Sequence, residues 1–235
     1  MTTMVGMTKN AAKIIVALDV PSEEEAMQLV TDLHSSVAMF KVGLQLYTAA
    51  GTGIVGGISL LSRVFLDLKL HDIPNTVGKA VESAATRGVE MLTVHLSGGA
   101  EMIRAAAAAA EGKTSILGVT VLTSSNQRTL RETGISDGVN DQVLRLARLG
   151  ADNGVDGIVA SPHEIKALRS EFGNKIKIVV PGIRPDWADA GDQKRFMTPR
   201  RAIEAGADYL VIGRPITAHQ NPKEALEKIL AEISG

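Results

Sequence analysis

A chain of 235 residues, 45% hydrophobic and 22% charged, has apolar content ample for a large core and the proportions of an ordinary globular protein. Its formal net charge of −1, with no block of lysine or arginine, speaks against a nucleic-acid partner, and the lack of cysteine excludes disulfides, thiolate metal sites and a cysteine nucleophile. No apolar run reaches the about 18 residues that span a bilayer, and Met1 to Asn10 carries no apolar signal core, so the expectation is a cytoplasmic protein with no membrane partner and a flexible extension over residues 1–10.

In chain order, eight short apolar, partly β-branched runs read as strands: Ile14 to Leu18, Val37 to Val42, Val64 to Leu68, Met91 to Val94, Ile116 to Leu122, Gly157 to Ala160, Ile176 to Val180 and Tyr209 to Ile212. Helical segments lie among them at Ser22 to His34, Pro74 to Arg87, Gly98 to Ala110, Asp141 to Asn153, Pro162 to Glu171, Pro199 to Ala205 and Pro222 to Ile233. Several open with Ser or Pro and close at Gly, as capped helices do. Near-continuously apolar strands alternating with helices predict a parallel sheet covered on both faces. Eight such units at a length typical of α/β barrels, about 200 to 250 residues, favour a closed (β/α)8 TIM barrel, one domain over 1–235. An open doubly wound sheet is the rival fold, but no G-x-G-x-x-G follows the first run.

A barrel builds its site at the C-terminal ends of its strands. The residues there are Asp19, Lys41, the group Asp67, Lys69 and Asp72, then His95, Thr123, Ser161, Arg184 and Arg214. Side chains two apart on a strand share a face, so Asp67 and Lys69 project into one space. A plainer account makes them an ion pair at a strand end, with Asp72 helping to begin the helix announced by Pro74. Ser161, before Pro162, reads as an N-cap rather than a site residue, and His95 as a hydrogen-bonded barrel residue. Gly213-Arg214-Pro215 follows the eighth run, where these barrels commonly bind phosphate through glycine backbone and a bidentate arginine, so a phosphorylated substrate is expected. Pro181 to Thr198 is long against the usual about 2 to 6 residues of a βα connection. It includes Gly191, Gln193 and the single tryptophan, Trp187, and reads as a lid that excludes water. The five histidines show no H-x-x-x-H spacing, so no metal site is expected.

Seven of these segments, in order, carry a resemblance over nearly the full length to the bacterial orotidine 5′-monophosphate decarboxylases. They are Leu18-Asp19, Phe40-Lys41-Val42-Gly43, Asp67-Leu68-Lys69-Leu70-His71-Asp72-Ile73-Pro74-Asn75-Thr76, Thr120-Val121-Leu122-Thr123, Pro181-Gly182-Ile183-Arg184, Gly191-Asp192-Gln193 and Gly213-Arg214-Pro215. The resemblance implies decarboxylation of orotidine 5′-monophosphate to uridine 5′-monophosphate, the last step of de novo synthesis, without a cofactor. It makes Lys69 the proton donor, flanked by Asp67 and by an Asp72 contributed across a homodimer, with Lys41 completing an alternating charge array. It gives Asp19 to the ribose, Thr123 to the pyrimidine, and Arg184, Gln193, Gly213 and Arg214 to the phosphate. Ile73 and Thr76 belong to the same partner-contributed segment.

The chemistry is consistent with those roles. Loss of carbon dioxide from C6 leaves an in-plane sp² carbanion, and the chain shows no motif for a covalent electron sink, so electrostatics must stabilise it. A carboxylate beside the substrate carboxylate repels it by about 4 kcal/mol at about 4 Å and an effective dielectric near 20, a repulsion lost as carbon dioxide leaves. A magnesium-dependent sugar-phosphate decarboxylase or aldolase of the same barrel group shares D-x-K-x-x-D and is the alternative, although a metal site would favour a carboxylate where Lys41 stands. A Schiff-base lyase through Lys69 would need a neutral amine, which two flanking carboxylates oppose. A barrel that only binds a phosphorylated metabolite would have no use for the Asp67, Lys69 and Asp72 set.

Overall fold

The computed structural model describes residues 10–188 and 196–234; most of the expected N-terminal extension lies outside them. The eight apolar runs form β1 (Ile14–Ala17), β2 (Met39–Gly43), β3 (Val64–Leu70), β4 (Met91–His95), β5 (Ser115–Val119), β6 (Gly157–Val159), β7 (Lys177–Val180) and β8 (Tyr209–Ile212). The helices are α1 (Glu23–Leu33), α2 (Leu44–Ala50), α3 (Gly53–Ser59), α4 (Pro74–Ala85), α5 (Gly99–Ala110), α6 (Gln127–Glu132), α7 (Val139–Asp152), α8 (Ile165–Phe172), α9 (Pro199–Ala205), α10 (Arg214–Thr217) and α11 (Pro222–Ser234). Every strand pairs in parallel with the next, and β1 pairs with β8 through Ile14↔Leu210, Ile15↔Val211 and Val16↔Ile212, closing the barrel. The TIM barrel read from strand count and apolar runs is the observed fold.

Strand periodicity sorts the core into two parts. Ile14, Val16, Phe40, Val42, Leu92 and Val94 face the helix layer, while Ile15, Ala17, Met39, Phe65, Met91, Leu117, Val179 and Val211 fill the barrel interior. Because side chains alternate faces, residues two places beyond an interior one also point inward, one layer nearer the C-terminal mouth. Two beyond Ala17, Met39, Phe65, Met91, Val179 and Val211 stand Asp19, Lys41, Asp67, Thr93, Pro181 and Gly213. The apolar plug thus supports a polar layer directly above it.

The helices α2, α3, α6 and α10 were not expected from the sequence. Gly53, Gly56 and Gly57 make α3 a poor helix by propensity, yet it buries Ile54, Val55 and Ile58 completely or nearly so. Tertiary burial of that stripe outweighs the glycine cost. The fifth run was expected to continue to Leu122 but stops as a strand at Val119, because its neighbour β6 offers only three residues to pair with. Ser161 is the N-cap expected of it: its Oγ accepts the His163 N–H, and Glu164 Oε2 accepts the Ser161 N–H at 2.8 Å.

Candidate active site

Strand β3 does not deliver its charges by regular pleating. It pairs with β4 at Phe65↔Met91 and Leu66↔Leu92, then again at Leu70↔Val94, so Asp67, Leu68 and Lys69 stand opposite the single residue Thr93. The surplus is a β-bulge. Within it Lys69 has φ 52°, left-handed backbone that a lysine adopts at a cost on the order of 1 to 2 kcal/mol. Strained backbone of this kind persists where the surroundings over-determine it. Thr93 is what holds it, as its hydroxyl accepts the Lys69 N–H at 2.8 Å and donates to Asp67 Oδ1 at 3.0 Å.

The result is a row of alternating charge across three strands. Lys41 Nζ lies 2.8 Å from Asp19 Oδ1 and 3.8 Å from Asp67 Oδ2, and Lys69 Nζ donates to both Asp67 oxygens at 2.8 and 2.9 Å. The Lys41 and Asp67 side chains are only 9% and 13% exposed, while Lys69 is 30% exposed. Buried charges are tolerable only when paired, and each of these has an opposite neighbour. The ion-pair account and the site account of this stretch therefore describe one object, since the pair exists and opens into a cleft.

That cleft has two lobes sharing Lys41, Asp67 and Lys69. The larger, about 620 Å³, runs toward β7 and β8 and is walled by Asp19, Gly43, Gln45, Pro181, Gly182, Ile183, Arg184, Gly213, Arg214, Pro215 and Thr217, with Ala17 and Val211 also in its lining. The smaller, about 150 Å³, lies over the barrel plug among Phe65, Val119, Val121, Leu122, Thr123, Val159, Pro181 and Val211. A polar lobe with two arginines, a smaller, mostly apolar lobe and a charge row between them can hold an anionic group, an aromatic ring and a reacting centre respectively. The combined size suits a nucleotide-sized ligand. Closure of the barrel makes this possible, because β1 beside β8 brings Asp19 to the same lobe as Gly213 and Arg214.

Among the expected site residues, Asp19, Lys41, Asp67, Lys69, Arg184, Gly213 and Arg214 line the larger lobe and Thr123 the smaller. Asp72, Ile73 and Thr76 do not; they are exposed beside the start of α4 and line neither lobe. Asp72 Oδ1 accepts the Ile73 N–H at 2.6 Å. Gly191 and Gln193 lie outside the described residues. Trp187, ahead of them, meets the His219 ring edge to face at 5.9 Å, and the Lys228 ammonium lies 5.7 Å from its ring centre. Thr93 was not singled out, although a threonine inside an apolar run, on the same face as Met91 and His95, was the available signal. His95 packs its ring 5.6 Å from that of His71. Burial, then His71 and Lys69 alongside, pushes the His95 imidazole pKa down. Among the described residues no three His, Asp or Glu side chains gather into a group that could hold a metal ion, and no helix is long and apolar enough to cross a membrane.

Comparison with known proteins gives concordant matches. The family model described as "Orotidine 5'-phosphate decarboxylase / HUMPS family" matches residues 12–229. Orotidine 5'-phosphate decarboxylase of Geotalea daltonii is 49% identical over 229 residues, spanning 94% of this chain and 96% of the relative, and that of Heliobacterium modesticaldum is 47% identical over 232 residues with the same coverage. Among solved structures, orotidine 5'-phosphate decarboxylase from Lactobacillus acidophilus superposes with a TM-score of 0.83 at 35% identity, covering 95% of this chain and 99% of that one.

Proposed function

Since the chain belongs to the orotidine 5'-phosphate decarboxylase / HUMPS family, a carboxy-lyase family by its closely matching relatives, we propose that it decarboxylates orotidine 5′-monophosphate to uridine 5′-monophosphate in the cytoplasm, completing uridylate synthesis without a cofactor. The observation that carries this reading is the Lys69 ammonium, held 2.8 and 2.9 Å from the two oxygens of Asp67 between an arginine-bearing lobe and an apolar one.

In this reading the phosphate meets Arg184, Arg214, Gly213 and Gln193, the ribose meets Asp19 and Lys41, and the pyrimidine lies in the smaller lobe by Thr123. C6 is then presented to the charge row. The C6–carboxylate bond breaks, its electron pair stays on C6, and carbon dioxide leaves. Asp67 stands where it opposes the substrate carboxylate before that step, and the Lys69 ammonium faces the carbanion after it. Lys69 gives C6 its proton and is recharged from solvent. Contacts to the distant phosphate supply binding energy that orders the charges around C6.

Asp72, Ile73 and Thr76 complete the site of the second subunit in a homodimer, a role supported by their exposure and by their absence from both lobes of their own cleft. The magnesium-dependent sugar-phosphate alternative fits less well, because a cation at Asp67 would have to displace Lys69 and face Lys41 3.8 Å away. The test is the loss of orotidylate absorbance on adding purified protein in the presence of a chelator. Turnover is expected; its absence would sink the reading, and its dependence on added magnesium would favour the alternative.

A further inference from the structure

We propose that Thr93 is a positioning residue for Lys69, fixing the bulge that turns this lysine into the cleft. The inference rests on the reading of Lys69 as proton donor. Thr93 is fully buried in β4, and it is the one β4 residue between the registers Leu66↔Leu92 and Leu70↔Val94. The three β3 residues opposite it have lost their ladder partners there. Its hydroxyl replaces part of that loss, accepting the Lys69 N–H at 2.8 Å, and spends its own hydrogen on Asp67 Oδ1 at 3.0 Å.

One O–H group therefore joins the main chain of the proton donor to the carboxylate that holds its ammonium. The geometry demands a group that accepts and donates at once on a short stem. Threonine and serine meet that demand. Valine, of the same shape, would fill the space, exclude water and leave the Lys69 N–H and one Asp67 lone pair without partners. The left-handed φ of 52° at Lys69 would lose the contact that holds it, and the bulge would relax toward a regular ladder. Lys69 Nζ, at the end of a flexible stem, would then lose its fixed place beside Asp67. Substrate contacts in the larger lobe made by residues that follow β1, β7 and β8 would be spared.

The test compares Thr93→Val and Thr93→Ser with the unaltered enzyme, using steady-state kinetics and amide hydrogen exchange at Lys69. Thr93→Val is expected to lower kcat about 100-fold, the effect of a reacting group misplaced by about 1 Å, while KM stays within about threefold. Thr93→Ser should recover kcat to within about fivefold of the starting enzyme. The Lys69 amide should exchange slowly in the unaltered protein and rapidly in Thr93→Val. Retention of kcat within about threefold in Thr93→Val, or equal losses in the valine and serine variants, would overturn the proposal. If Thr93→Val does not fold, the serine variant and the unaltered protein still decide it, because a Lys69 amide exchanging as fast as exposed loop amides overturns the tie by itself. An unaltered protein that does not turn over orotidylate would defeat the functional reading instead, and the substrate-free exchange measurement would still judge the Thr93 contact.

Discussion

Gly43 closes β2 two residues after Lys41, and its replacement by alanine tests the charge row without touching any charge. The backbone there is extended, φ −97° and ψ −177°, so alanine adopts it freely. A Cβ on Gly43, however, would lie 2.7 Å from Lys41 Nζ and 2.8 Å from Asp19 Oδ1, against an ordinary contact of about 3.5 Å. The new methyl therefore wedges between partners now 2.8 Å apart. At an effective dielectric of about 20, opening that pair to about 3.5 Å lowers its attraction from about 6 to about 4.7 kcal/mol. Asp19 is half exposed, so solvent reduces the difference to about 0.5 to 1 kcal/mol. That alone is about a two- to fivefold effect on binding, and displacement of both groups from the substrate brings the expected loss in kcat/KM to about tenfold or more. Because the clashing atoms are side-chain ends that can swing aside, the melting temperature should move by less than about 4 °C. Orotidylate absorbance and a thermal melt measure both. The matched control is Gly56→Ala in α3, where a Cβ meets nothing within 4 Å; it should leave kcat/KM unchanged and add about 0.5 to 1 kcal/mol of stability. Equal kcat/KM for Gly43→Ala and the unaltered enzyme would refute the reading that Lys41 and Asp19 meet the substrate from their paired positions.

Lys69→Ala should lower kcat more than about 1000-fold while calorimetry still detects uridine 5′-monophosphate, since the lysine acts mainly in the transition state; near-normal turnover would remove it from the mechanism. Mixing inactive Lys69→Ala and Asp72→Ala chains should restore roughly a quarter of full activity, the statistical yield of one intact site in each mixed dimer. No recovery after exchange of subunits would place Asp72 outside the shared site. His95 predicts a pH effect on stability. Its folded pKa is held below its ordinary value of about 6.5 by burial, His71 and Lys69, so below that pH the unfolded chain binds the proton that the folded chain refuses. Its contribution to stability is whole above about pH 6.5 and falls as the pH drops toward the depressed folded value. Urea midpoints at about pH 7.5 and 5.5 should therefore differ less in His95→Asn than in the parent, and equal differences would contradict the assignment.

The residues lining the cleft were legible because a barrel gathers its site at the C-terminal ends of its strands. Asp19 and Gly213 directly follow their apolar runs, Lys41 and Asp67 interrupt theirs near the end, and all four share the inward face with Ile15, Met39, Phe65 and Val211 beneath them. Asp72, Ile73 and Thr76 were visible as residues, but they stand exposed at the start of α4 and line neither lobe of the cleft. Thr93 was hidden by the company of Met91, Leu92 and Val94. A threonine is unremarkable in a strand, and only its place opposite the bulge gives its hydroxyl two partners. The helix α3 was hidden by glycine, whose local cost is offset only once Ile54, Val55 and Ile58 are buried.

By itself the sequence determined the repeating alternation of strand and helix and the order of charges along the chain, since both follow from period and residue type. The tertiary structure decided what period cannot state. Closure set β1 beside β8 and brought Asp19 into the lobe that holds Arg214, and a bulge in β3, absent from any two-residue repeat, turned Lys69 onto Asp67 at 2.8 Å. Both depend on partners distant in sequence, one through strand pairing and the other through the Thr93 hydroxyl, so neither could be read from local chemistry alone.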